Sequence, residues 1–370
     1  MGSKSSRRDF IKRSAFSTIA IWVSDRAWAQ GGKSSNDRVQ IASIHSTPFV
    51  GRSGQHLTVD GKQIHLYGGS LYGAPWREDR FNQYVDTWIA NARSNGMNTI
   101  RICDFIDNRN LDQWKDARTW ANVDYLLNAL EARKMYAILD LSTYRNLLER
   151  IFKKDPNADT DTPGIVAAYN PKNWEAFTAF VSARYKNSRS IAFYSIAGEC
   201  EAPVHKRITT QELTAFYDKV STQLRAGDPN HLVSSGGLLY LDWNSGIDWK
   251  TIFNLPNIKM AAMHVYSKGD ESVLPTISEW ARQPSVNIPF VIEEFGMKQG
   301  TDDTARAQWF RKIYSLAARY ASVGALFWNL GPELNSGSCD VGPQTPAVWK
   351  AVRECASLFR ESPASGKGSQ

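Results

Sequence analysis

The chain has 370 residues, of which 42% are hydrophobic, 12% aromatic and 22% charged, a balance that excludes a disordered or fibrous chain and supplies apolar side chains for a large core. Its 44 basic and 37 acidic residues give a net charge of +7, but much of that excess is N-terminal. Residues 1–29 carry six Lys/Arg and two acids, which leaves 38 basic against 35 acidic residues, a net of +3, and excludes a nucleic-acid-binding stripe.

Residues 1–29 read as an export signal. Ser6-Arg7-Arg8-Asp9-Phe10-Ile11-Lys12 has the form of a twin-arginine motif, 15–23 is a modest apolar run, and Ala27-Trp28-Ala29 offers a small-x-small cleavage site before Gln30. The competing reading is a basic amphipathic arm. No run reaches the roughly 20 apolar residues of a spanning helix. The expected mature protein is therefore without a membrane segment, passed by the twin-arginine machinery to a periplasm or to the cell exterior. Residues 30–45 are expected to be a flexible leader, 46–361 the folded domain, and 362–370 a disordered Ser/Gly/Lys tail.

The domain opens with Phe49-Val50, a Gly-Arg-Ser-Gly turn and Leu57-Thr58-Val59 before Asp60-Gly61, which predicts a short β-hairpin under the first strand. Strand-like stretches follow at 64–69, 98–103, 136–141, 191–197, 232–235, 259–264, 290–294 and 325–329. Amphipathic stretches lie between them at 81–94, 123–133, 174–185, 211–225, 273–282, 303–320 and 347–359. Eight β-then-α units predict a (β/α)8 TIM barrel. An open doubly wound sheet would also alternate, but neither G-x-G-x-x-G nor G-x-x-x-x-G-K occurs.

In such a barrel the active site lies at the C-terminal ends of the strands. Those ends hold Arg101 (strand two), Glu199 (four), His264 and Tyr266 (six), Glu294 (seven) and Trp328 (eight). Two carboxylates on strands four and seven face each other across a barrel, the arrangement that glycoside cleavage needs: one protonates the leaving oxygen, the other attacks the anomeric carbon or activates water. Glu293 adjoins Glu294, and alternation along a strand sends the two to opposite faces without saying which is inward. Glu201 competes with Glu199. Each of Arg101, His264 and Trp328 also has a purely structural reading, as do Trp76, Trp243, Trp249 and Trp280, which otherwise line distant subsites. His231 reads as structural, and the acidic stretch 155–161 as a solvated loop rather than a calcium site.

Val59-Asp60-Gly61-Lys62, Tyr67-Gly68-Gly69-Ser70, Gly96-Met97-Asn98-Thr99-Ile100-Arg101, Gly198-Glu199, His264-Val265-Tyr266, Glu294-Phe295-Gly296 and Trp328 together resemble glycoside hydrolase family 5. The resemblance implies a retaining hydrolase with Glu199 as acid/base and Glu294 as nucleophile. It implies further that Arg101 and Tyr266 support the nucleophile, His264 lines the cleft and Trp328 is the sugar platform. It implies no cofactor and no metal. Two positions depart from the family: Gly198 stands where Asn usually binds the sugar 2-hydroxyl, and strand three ends Asp140-Leu141-Ser142 rather than Asp-Leu-His.

Segments 180–185, 228–231 and 246–248 look most like the family's β-mannanases. The resemblance thus favours endo-β-1,4-mannanase activity on a β-linked polysaccharide, with endo-β-1,4-glucanase or exo-β-glycosidase activity as alternatives. A non-catalytic glycan-binding barrel is the alternative of another class. The four cysteines, Cys103, Cys200, Cys339 and Cys355, match no metal spacing. Cys339 and Cys355 flank the last element, where a disulfide and a pair of buried thiols are both open.

Overall fold

The computed structural model describes residues 48–360, apart from 77–80, 107–110, 240, 242–243, 301 and 322. The expected signal, leader and tail segments therefore lie outside the described residues.

Eight parallel strands form one sheet in the order β8-β7-β6-β5-β4-β11-β10-β9. They are β4 (Leu66–Tyr72), β5 (Thr99–Cys103), β6 (Tyr136–Asp140), β7 (Ile191–Ser195), β8 (Leu232–Ser234), β9 (Ala261–Val265), β10 (Phe290–Phe295) and β11 (Gly324–Phe327). Parallel bridges Ser234↔Met260 and Leu238↔Met263 join the two outer strands and close the ring. The fold is the expected (β/α)8 barrel. The hairpin has gained a third strand: β1 (Gly51–Ser53), β2 (His56–Val59) and β3 (Lys62–Ile64) make an antiparallel sheet. Its Val50 and Leu57 join Leu66, Ile138, Phe193, Met260, Val291 and Leu326 in one buried cluster, so the barrel floor is an apolar plug.

The helices are α1 (Phe81–Ser94), α2 (Ala117–Ala132), α3 (Ser142–Ile151), α4 (Thr162–Ala168), α5 (Glu175–Tyr185), α6 (Thr210–Gly227), α7 (Trp249–Phe253), α8 (Lys268–Arg282), α9 (Asp303–Tyr320) and α10 (Pro346–Cys355). The first and ninth coincide with the expected spans. Helices α3 and α4 were not anticipated. The former begins directly at the end of β6 with Leu141 as an N-cap lacking any side-chain hydrogen bond, so no capping residue marks its start.

Strand alternation divides the two sides of the barrel. On β5, Ile100 and Ile102 pack in the core between sheet and helices, while Arg101 enters the barrel and meets acids from β6 and β10. The interior is thus apolar at the floor and charged towards the C-terminal ends. All four cysteines are buried and none is in a disulfide. The pairing of Cys339 with Cys355 is not made.

Candidate active site

Arg101 is the hub of the Glu294 side. Its Nη1 donates to Glu294 Oε2 at 2.5 Å and to Ser70 Oγ at 3.3 Å, its Nη2 to Asp140 Oδ2 at 2.6 Å, and its Nε to Glu293 Oε1 at 3.2 Å. Burial opposes the Arg101 charge, but Asp140 and Glu294 outweigh it and raise the guanidinium pKa well above its ordinary value. The second oxygen of Glu294, Oε1, accepts from the Tyr266 hydroxyl. Tyr266 is fixed in turn by its backbone N–H, which donates to Asp270 Oδ2 at 2.9 Å inside the capping box that opens α8.

Alternation alone would have sent Glu293 away from Glu294. Instead, the pairing of β10 with β9 slips between Ile292 and Glu294, and the pairing with β11 is also irregular there. Such a slip is a β-bulge, which re-aims side chains where a strict strand cannot. Both adjacent acids therefore reach Arg101. Glu293 is fully buried, and burial pushes its carboxyl pKa up.

Across the cleft, Glu199 stands beyond the end of β7 with φ of 51°. A left-handed conformation costs an L-residue about 1–2 kcal/mol, so the turn needs outside support. Glu199 N–H donates to Gly237 O at 2.8 Å and Ala197 N–H to Ser235 O at 2.8 Å. Helix residues complete the support: Tyr217 Oη donates to Ala197 O at 2.7 Å, and Arg145 Nη1 donates to the carbonyls of Gly198 and Glu199. The glycine at 198 has a packing reason. A Cβ there would lie 3.2 Å from Gly237 N and 3.3 Å from His264 Cε1, while one on Gly237 would lie 1.9 Å from His264 Cδ2. A side chain at 198 would need this backbone and the His264 ring to give by a few tenths of an ångström.

His264 links the two carboxylates. Its Nδ1 is 3.0 Å from Glu199 Oε1 and 3.7 Å from Glu294 Oε1. Burial lowers its pKa, but the Glu294 and Glu199 carboxylates outweigh that, and the net shift is upward. One oxygen from each glutamate and a ring nitrogen of His264 all lie within 4.8 Å of one another. These three are also the one set of potential metal ligands among the described residues. Glu294 already accepts from Arg101 and Tyr266, and a guanidinium 2.5 Å from it opposes a cation. The set suits carboxyl chemistry better than metal binding.

Trp328 and Tyr72 form the half-exposed aromatic wall, edge to face at 5.3 Å. Trp328 N–H donates to Phe295 O at 2.6 Å, and Asn329 Oδ1 accepts from Tyr72 N–H at 3.1 Å. Asp340 Oδ1 fixes the other end of the Asn329 amide at 3.0 Å.

The six residues expected at the site fall in or just after the barrel strands: Arg101, His264 and Glu294 within β5, β9 and β10, and Glu199, Tyr266 and Trp328 beyond the ends of β7, β9 and β11. Glu201 does not join them: its buried carboxylate accepts from His205 Nδ1 at 2.8 Å and Arg207 Nε at 2.9 Å. Trp249 and Trp280 pack on each other and on Phe253 between α7 and α8 instead of lining a subsite. Trp243 lies outside the described residues, as does the side chain of Trp76. His231 is structural as expected, buried between Asp228 Oδ2 at 2.6 Å and Ser188 O at 2.7 Å. In the acidic stretch, Asp161 caps α4 and accepts three backbone N–H groups.

The site residues that sequence reasoning missed are Ser70, Tyr72, Asp140 and Arg145. Asp140 ends strand three and had the same strand-end signal as Arg101. Arg145 had none, because its helix was not foreseen.

The profile described as Cellulase (glycosyl hydrolase family 5) matches residues 53–334. The chain belongs to glycosyl hydrolase family 5. It is a glycoside hydrolase on a barrel of that family. A probable mannan endo-1,4-beta-mannosidase C from Aspergillus terreus is 24% identical over 303 residues, covering 67% of this chain and 73% of that relative. An endo-1,4-beta-mannanase from Rhizomucor miehei superposes with a TM-score of 0.66 at 18% identity, over 84% of this chain and 99% of that one. An endo-beta-1,4-mannanase from Thermotoga petrophila gives 0.65 at 17% identity, over 81% and 77%. At these identities the two solved structures speak for the fold alone.

Proposed function

We propose that this glycoside hydrolase is an exported, endo-acting β-1,4-mannanase that works by double displacement, with Glu294 as nucleophile and Glu199 as acid/base. The observation that carries the chemistry is the close carboxylate pair, one oxygen of each lying within 4.8 Å of the other, with one member held by Arg101 and Tyr266. Retaining enzymes place their carboxyls about 5–5.5 Å apart, whereas inverting ones leave about 6.5–9.5 Å for a water. Mannan as the substrate is supported by the curated relative and by segments 180–185, 228–231 and 246–248. Export is supported by the twin-arginine motif at 6–12.

In the first step Glu294 attacks the anomeric carbon, the glycosidic C–O bond breaks, and the leaving oxygen takes the proton of Glu199. In the second, water gives a proton to Glu199 and attacks the same carbon, releasing Glu294. Arg101 and Tyr266 orient the Glu294 lone pairs, and His264 lies between the two carboxylates. Trp328 and Tyr72 offer the apolar wall on which a sugar ring packs.

The test is hydrolysis of galactomannan, glucomannan and carboxymethyl cellulose, with product lengths measured and the anomer of the first product read by NMR. The expected outcome is internal cleavage of the two mannans with a β-configured first product. Glu199→Ala and Glu294→Ala each abolish it. Cleavage of cellulose alone overturns the substrate, and an α-configured first product overturns the mechanism.

A further inference from the structure

The turn that carries Glu199 has an unusual support. Gly198 gives it no side chain to lock, and Glu199 itself is left-handed. Three successive carbonyls, of Ala197, Gly198 and Glu199, point at side chains, and Arg145 takes two of the three. Arg145 is buried at 7% exposure, with Glu149 Oε1 3.4 Å from its Nε and Asn146 Oδ1 accepting from its Nη2 at 2.9 Å. Its Nη1 is directed at peptide oxygens of the catalytic turn. A single nitrogen, Nη1, reaches both carbonyls with its two N–H bonds, while the planar guanidinium that carries it is held in orientation through its other nitrogens by Asn146 and Glu149. It comes from α3, the helix packed directly after β6, so it ties the acid/base turn to a rigid element of a neighbouring βα unit.

We propose that Arg145 is a positioning residue for the acid/base, setting the Glu199 carboxyl at the leaving oxygen by clamping the carbonyls of residues 198 and 199. The inference rests on the reading of Glu199 as acid/base. It has a kinetic signature. Protonation of the leaving oxygen matters for a sugar alkoxide, a poor leaving group, and hardly for 2,4-dinitrophenolate, which departs unprotonated. A displaced Glu199 therefore slows mannan cleavage and spares the aryl glycoside. A merely destabilised fold slows both alike.

The experiment compares kcat/KM of the full chain and its Arg145→Met and Arg145→Lys variants on mannan and on 2,4-dinitrophenyl β-mannobioside. Glu199→Ala is run alongside. Arg145→Met is expected to lose about 10- to 100-fold on mannan and less than about 3-fold on the aryl glycoside, a partial loss of the roughly 10²–10⁴-fold that general acid catalysis supplies. Arg145→Lys, which keeps a cation but not the planar group that Asn146 and Glu149 orient, loses less in the same sense and gives the answer where the Met variant does not fold. Equal losses on both substrates, or no loss on mannan, overturn the proposal. Glu199→Ala separates the two readings: if it loses mannan and keeps the aryl glycoside while the Arg145 variants do not split, only the positioning role falls. If it cleaves mannan at the parent rate, the assignment of Glu199 itself falls.

Discussion

Glu294 and Glu199 face each other across one cleft, yet the strand ends that carry them are built by different means. On the β10 side the support is side-chain charge: Arg101 meets Glu294, Glu293 and Asp140, and a bulge turns two adjacent acids the same way. On the β7 side the support goes to the backbone: carbonyls of 197–199 are held by Tyr217 and Arg145, and Gly198 lies against Gly237 and the His264 ring. The difference suits the roles proposed for the two groups. A nucleophile keeps one charge state until it attacks, so a fixed opposite charge suits it. An acid/base exchanges its proton twice per turnover, and the group on the Glu199 carboxylate is the titratable His264 at 3.0 Å rather than a permanently charged guanidinium.

The largest effect that would break this comparison lies on the charged side. Arg101→Met leaves three buried acids without their common cation, and breaking buried pairs in this way costs about 3–5 kcal/mol. Lost activity and a large fall in Tm, measured by thermal unfolding, are expected. Near-parent stability would mean that the cluster is not held by charge. Next comes Gly198→Asn, which restores the residue usual in the family. Its Cβ would press on Gly237 and His264 at 3.2–3.3 Å, and overpacking of this kind costs about 1–3 kcal/mol. A lower Tm and a lower mannan rate are expected. A faster enzyme would show that the turn has room to yield.

The smallest effect is that of Glu293→Gln. Burial raises the Glu293 pKa above its ordinary 4.5, so the folded chain binds this proton more tightly than the unfolded chain. Its contribution to stability is present below 4.5 and is lost as pH rises through the raised value. His264, also raised, acts in the same direction: its contribution is present below 6.5 and is lost as pH rises through the folded value. Removing the Glu293 component should flatten the decline in stability above pH 4.5 and leave mannan cleavage close to the parent rate. An unchanged pH profile of urea unfolding would mean that Glu293 is charged alongside Glu294.

The barrel was legible because its eight strands and intervening helices carry strong hydrophobic periods, and spans 81–94 and 303–320 emerged with their observed ends. The site was legible where a polar or aromatic residue falls in the C-terminal part of a strand or just after it, as Arg101, Glu199, His264, Tyr266, Glu294 and Trp328 do. Three features were not. The bulge at Ile292–Glu294 is a register property of three strands together and has no local pattern. Helix α3 starts without a capping residue, which hid Arg145. The reason for Gly198 lies in Gly237 and His264, which are distant in sequence and adjacent only in the closed barrel.

The pair itself is tested most directly by trapping. The enzyme is incubated with a 2-deoxy-2-fluoro-β-mannosyl fluoride, whose electron-poor sugar forms the covalent intermediate and releases it slowly, and the modified peptide is sequenced by mass spectrometry. One sugar ester on Glu294 is the predicted result. An ester on Glu293 or Glu199, or cleavage of mannan with no ester formed at all, would contradict it.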